Sequence, residues 1–142
     1  MSDKGYIWTS VGVVSAESLY NIISAVNSKL TVGNLIVSAL GIVFWIAYII
    51  ICRKRSAVMK WSAIFWGISA AIALAGIIVF GTVGGESLIY AFFAMIFSSH
   101  LYGIRYFIVT PVASLYVMMF VSTAFIITSV SYVFKIKRGD YT

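Results

Sequence analysis

The sequence predicts an all-α, polytopic integral membrane protein: a bundle of about four hydrophobic helices with an N-terminal amphipathic helix ahead of them. Three observations carry this. Of the 142 residues, 62% are apolar and only 10% charged, with a mean hydropathy of +1.05, which exposes more apolar surface than a small water-soluble domain can cover. The ten Lys and Arg and the four Asp and Glu are segregated, so that residues 31–52, 61–85, 87–104 and 106–134 carry no charge; a helix needs about 20 residues to cross the hydrocarbon core. The basic residues then cluster at the ends of these stretches, as Arg53, Lys54, Arg55 and Lys60 and as Lys135, Lys137 and Arg138, where membrane topology and anionic headgroups favour them.

The whole chain, 1–142, reads as a single transmembrane domain, without internal repeat or low-complexity tract. Its start does not resemble a cleavable signal peptide, because Asp3 and Lys4 cancel and Glu17 interrupts the apolar run; retention of the N-terminus is expected. Residues 6–28 form the amphipathic helix, with Ile7, Val11, Val14, Leu19, Ile22 and Val26 at helical spacing and Glu17, Asn21 and Asn27 between them. Such a pattern suits a helix lying along the membrane interface. The rival is a fifth span that carries Glu17 at mid-membrane, where an ionisable group is costly and functional.

Residues 32–52 form the clearest hydrophobic helix, ending at Arg53, and this end is expected to face the cytoplasm. A short basic loop, 53–60, turns the chain into the second helix, 60–83, so the two form an antiparallel hairpin. On the second helix Ala63, Gly67, Ala71 and Ala75 recur every fourth residue and make a small-residue packing face for a neighbour in this chain or another. Gly84, Gly85 and Glu86 supply a turn. The third helix, 87–104, is aromatic and becomes polar at Ser98, Ser99 and His100. Pro111 opens the last helix, 111–134, whose Ser114, Ser122, Ser129 and Ser131 can bond neighbouring helices.

Charge and length disagree about topology. Four crossings put Lys135, Lys137 and Arg138 on the outside, against the positive-inside tendency; if residues 87–110 instead enter and leave on one side, both basic clusters face the cytoplasm. A re-entrant segment needs protein or a water cavity around its broken backbone. Length favours the four crossings.

Chemistry concentrates in residues 98–106, which hold the only histidine, His100, and Arg105, the arginine away from the basic clusters. An imidazole there could ligate haem iron or bond a quinone oxygen, and a guanidinium could pair with a propionate or an acidic headgroup. The structural alternative is a histidine bonded at a helix end beside an arginine that snorkels to the interface. His100, Gly103, Ile104, Arg105 and Tyr106 resemble the haem-bearing helix of succinate dehydrogenase membrane anchors, in which a histidine precedes a Gly-hydrophobic-Arg-aromatic run. The resemblance spans residues 100–106 and implies a haem or quinone contact at a site shared with a partner chain. Its register differs: the family places three residues between histidine and glycine, this chain two, so the family's ligand position falls on Ser99.

Other chemistry has little support. One cysteine, Cys52, excludes an internal disulfide, and with one histidine it leaves too few soft ligands for an all-protein zinc site. No glycine-rich phosphate loop follows a strand, the carboxylates Asp3, Glu17, Glu86 and Asp140 form no local acid–base pair, and the basic residues offer no solvated groove for nucleic acid. Catalysis by the chain alone is not predicted. The expected function is that of a small accessory or anchor subunit of a larger membrane complex, including an energy-converting redox complex, in contact with lipid and with other subunits or copies of itself. The alternative is a homo-oligomeric channel or small transporter with serine-lined faces.

Overall fold

The computed structural model describes residues 1–26, 29–82, 99–108 and 110–139. Four α-helices, α1 (Asp3–Val26), α2 (Val32–Cys52), α3 (Ser56–Thr82) and α4 (Pro111–Arg138), surround a 3₁₀ segment (Ser99–Tyr106). No strand occurs among the described residues. Three helical stretches, Val32–Cys52, Ser56–Val79 and Val112–Arg138, are long and apolar enough to cross a membrane.

Local chemistry sets the helix ends. The Ser2 hydroxyl accepts the Gly5 N–H at 3.2 Å, and Asp3 lies in the first turn of α1, where a carboxylate favours the helix dipole. Thr31 and Asn34 form a reciprocal capping box at α2, satisfying two N–H groups that a helix start otherwise leaves open. α2 ends in the basic turn, where the Arg55 N–H returns to the Cys52 carbonyl at 2.8 Å. Pro111 occupies the start of α4, where its missing N–H removes no helical bond. α3 begins at Ser56, a turn earlier than the charge pattern suggests, and α4 continues to Arg138. In both cases helical backbone carries on past the charged residue that limits the apolar run.

The helices alternate in direction. Along α1 and α2 the partners descend as the α1 number rises: Asp3 bonds Arg55, Tyr6 meets Tyr48, Glu17 lies on Gly41 and Asn21 bonds Ser38. α3 and α4 are likewise antiparallel, since Ser62 bonds Ser129 and Trp66 stacks on Phe125. The start of α1, the 53–60 turn and the end of α4 therefore share one end of the bundle. That end gathers all the Lys and Arg except Lys29 and Arg105.

The N-terminal helix does not lie across the ends of the others; it runs beside α2 for the length of both. Its polarity is inward, with Ser10, Glu17 and Asn21 buried, while Trp8, Leu19, Tyr20 and Ile23 face outward. α3 ends and α4 begins at the same end of the bundle. Most of the predicted helix 87–104, and the turn at 84–86, lie outside the described residues; its last part, from Ser99, is 3₁₀ rather than α.

The interior is a chain of aromatic rings crossed by polar groups. Trp45 stacks on Phe65 at 5.0 Å and meets Trp66 edge-on at 5.3 Å, and Trp66 stacks on Phe125 at 4.5 Å. Aromatic pairs of this kind add about 1 kcal/mol each beyond burial. Buried polar residues include Ser10, Glu17, Asn21, Asn34, Ser38, Ser62, Ser69, Ser114, Ser122 and Ser129, whereas Ile36, Leu40, Val43, Ile64, Phe120 and Ile127 are exposed. Polar groups inside and bulky apolar groups outside reverse the order favoured in water.

The α3–α4 contact uses Ser62, Trp66, Ser69 and Ala73 of α3 against Leu115, Met118, Ser122, Phe125 and Ser129 of α4, residues that recur at seven-residue intervals and are buried or packed on the core. The predicted small-residue face is offset from it. Ala63 and Gly67 are half-buried, Ala71 and Ala75 are exposed, and a side chain added at Gly67 would meet nothing within 4 Å. Cys52 is free and completely buried at the end of α2, as a neutral packed residue.

Candidate functional site

The buried polar groups of α1 and α2 line up as a seam, and the 3₁₀ segment is pressed into it. A 3₁₀ run of eight residues is longer than such helices usually persist, and side chains from both helices complete its bonding. Ser38 donates to the His100 carbonyl at 2.8 Å and accepts the Gly103 N–H at 2.9 Å. The Asn21 amide donates to Ser38 at 3.3 Å and to the same His100 carbonyl at 3.5 Å, and accepts from Asn34 at 2.9 Å. Asn34 in turn holds Thr31 through the capping box. Backbone that leaves the α-helical pattern inside an apolar bundle must be bonded by its surroundings, and here Ser38 and Asn21 supply that bonding, with Asn34 holding Asn21 in turn.

Gly103 permits the contact. Its Cβ position falls on the Asn34 carbonyl and the Leu35 nitrogen, so the 3₁₀ segment crosses α2 backbone to backbone and only glycine fits. Gly41 plays the same part for a side chain, since a Cβ there would run into both oxygens of Glu17.

Glu17 sits one turn before Asn21, opposite the middle of α2. It is 8% exposed, and among the described residues its Oε2 has no hydrogen-bond partner and no charged side chain faces it. A charge buried in this way without a partner is costly. Toward the basic end the seam continues through Ser10, which accepts the Trp61 indole N–H at 3.0 Å, and Tyr48, whose ring lies 6.5 Å from that of Tyr6. It closes at the 2.6 Å Arg55–Asp3 ion pair, in which the carboxylate holds the guanidinium proton more firmly than usual.

The His100 and Arg105 side chains have different surroundings. The imidazole is 1% exposed, with the Phe65 and Trp66 rings each 5.5 Å from it. Arg105 is half-buried nearer the far end of the bundle, its guanidinium 5.5 Å over the Tyr102 ring in a cation–π contact. A haem needs an open face on its axial imidazole, and a quinone needs a slot beside it; buried against two aromatic rings, His100 shows neither among the described residues. What these residues contribute to the fold is a backbone carbonyl at His100 and a rim contact at Arg105.

Sequence reasoning singled out Glu17 and Asn21 on a helix along the membrane interface, with a span carrying Glu17 at mid-membrane as the rival, and it passed over Asn34 and Ser38. An available signal was their spacing: residues 34, 38 and 41 share one face of α2, as 10, 17 and 21 share one face of α1. Comparison with protein-family models, with curated proteins and with solved structures finds no match for this chain.

Proposed function

We propose that this chain is a small accessory or anchor subunit of a larger complex in the cell membrane, with α1 to α4 crossing the bilayer and the basic end in the cytoplasm. The observation that carries the subunit reading is the outward small-residue face of α3. Ala71 and Ala75 are exposed and Gly67 has open space beside it, while α4 packs on a different face of the same helix. Lipid gains little from small side chains, whereas a partner helix gains close approach. The inverted polarity and the gathering of cations at one end support the placement in the membrane. In this reading Ala71→Leu with Ala75→Leu leaves the fold of the purified chain intact and abolishes co-purification of partner chains from the source membrane, read by mass spectrometry. Purification of wild type as a stable, isolated monomer would overturn it.

A second reading, a small transporter, is favoured by Glu17. Ionisable groups within membrane bundles mark ion and proton pathways, and this one interrupts a polar seam that runs from Asp3 to Thr31. Serines lining a pore between copies are less suited to the fold, because Ser114 and Ser122 are 3% and 0% exposed within the single chain. Proton or cation flux in liposomes containing this protein alone, lost in Glu17→Gln, is the expected result. Flux that is absent in wild type, or unchanged in the variant, removes this reading.

A further inference from the structure

We propose that Glu17 is a reversible proton-binding site in the interior of the bundle, loaded and unloaded through the α1–α2 seam. Three features of the structure meet there. The carboxyl group is more than nine-tenths buried and opposite the middle of α2, and one of its oxygens has no hydrogen-bond partner among the described residues. Space for it is built in, because only the missing side chain of Gly41 lets both oxygens lie against α2. Polar groups leave it in both directions: Asn21, Ser38 and Asn34 toward one end, Ser10, Tyr48 and the Asp3–Arg55 pair toward the other.

The occupant follows from charge. Lysine and arginine stand at the ends of the bundle, as does Asp3, and the other titratable groups on the packed elements are Tyr6 and Tyr20 on α1, Tyr48 and Cys52 on α2, and His100, Tyr102 and Tyr106 on the 3₁₀ segment. None of these presents a fixed positive charge to the carboxylate. A cation must therefore neutralise it in an apolar setting, and a proton is the one that needs no coordination shell. Side-chain hydroxyls and amides, which both donate and accept, are suited to passing it on.

The inference deepens the transport reading, but its test follows the protonation of one carboxyl rather than flux, so the two fail separately. The full chain in liposomes is treated with the hydrophobic reagent N,N′-dicyclohexylcarbodiimide, which adds to protonated carboxylic acids in apolar surroundings, and the modified residue is located by peptide mass spectrometry. Glu17 is expected to be labelled, with a rate that falls about tenfold for each pH unit above its midpoint. A water-soluble carbodiimide should spare Glu17 while reaching Asp3, and Glu17→Gln, which keeps the shape of the neutral form, should remove the label with an unchanged melting profile. Absence of labelling in wild type overturns the proposal, as does labelling indifferent to pH. Protection by sodium or lithium at constant pH also overturns it, in favour of a metal-cation site.

Discussion

The two halves of the bundle are held together by different physics. α1, α2 and the 3₁₀ segment are joined by side-chain hydrogen bonds to backbone, centred on Ser38, Asn21 and Asn34. α3 and α4 are joined by shape: rings of Trp66 and Phe125 in van der Waals contact, small residues between them, and a 2.9 Å hydroxyl contact from Ser62 to Ser129. Both halves bury polar residues, so composition does not separate them. What separates them is the backbone they serve. A continuous α-helix bonds itself and asks only for a complementary surface, whereas a segment that departs from α geometry in an apolar interior imports its partners from neighbouring side chains.

The contrast predicts opposite sensitivities. The largest effect is expected in the half held by shape. Trp66 is fully buried and touches the rings of Trp45, Phe65, His100 and Phe125, so Trp66→Ala should destabilise the fold by about 3–5 kcal/mol, measured by steric trapping or by unfolding in detergent. A loss under about 1 kcal/mol would mean that the α3–α4 seam repacks freely and that shape is not what holds it. Next comes the crossing of the 3₁₀ segment over α2. Gly103→Ala puts a methyl group on the Asn34 carbonyl, and overpacking of this kind costs about 1–3 kcal/mol. Hydrogen exchange should show the added exposure confined to residues 99–106 and the start of α2, because the backbone there has to move while the α3–α4 seam is untouched.

How much of this was legible in the sequence depends on which property each residue contributes. The hydrophobic helices were legible because an uncharged run of spanning length followed by Arg53 is a one-dimensional signal. α1 was legible as an amphipathic helix but not in its orientation. Residues 10, 17 and 21 have the same periodicity whether their face meets water or a bundle interior, and periodicity carries no sign without knowledge of the solvent. The face that α3 gives to α4 lies one residue away from the small-residue face: Ala63, Gly67, Ala71 and Ala75 form as regular a series as Ser62, Trp66, Ser69 and Ala73, and the sequence does not say which of the two meets a neighbour within the chain. The tract at His100 drew notice for its imidazole, yet the described bonds it contributes to the seam run through a carbonyl and the Gly103 N–H. Backbone groups are present at every position and leave no mark in a motif.

Removing a hydroxyl from each half sharpens the comparison further. Ser38→Ala withdraws the donor to the His100 carbonyl and the acceptor of the Gly103 N–H, leaving two buried backbone groups to share what Asn21 can offer. The expected loss is about 1–2 kcal/mol, with Ser38→Thr restoring most of it if the added methyl is accommodated.

The smallest effect is expected at Ser62, whose oxygen is as deeply buried as that of Ser38. Its contact is with another hydroxyl, Ser129 Oγ, and neither residue bonds an irregular backbone. Replacing both by alanine removes donor and acceptor together and leaves a seam of small side chains of nearly the same shape, a change that is close to neutral when partners are deleted as a pair. A double-mutant cycle in detergent should return a coupling of about 0.6 kcal/mol, the average for hydrogen bonds between membrane helices, so each single variant should cost about half of that. If the coupling instead matched the loss at Ser38, the hydroxyl pair would be a fastening in its own right, and the division between a half held by hydrogen bonds and a half held by shape would fail at its most exposed point.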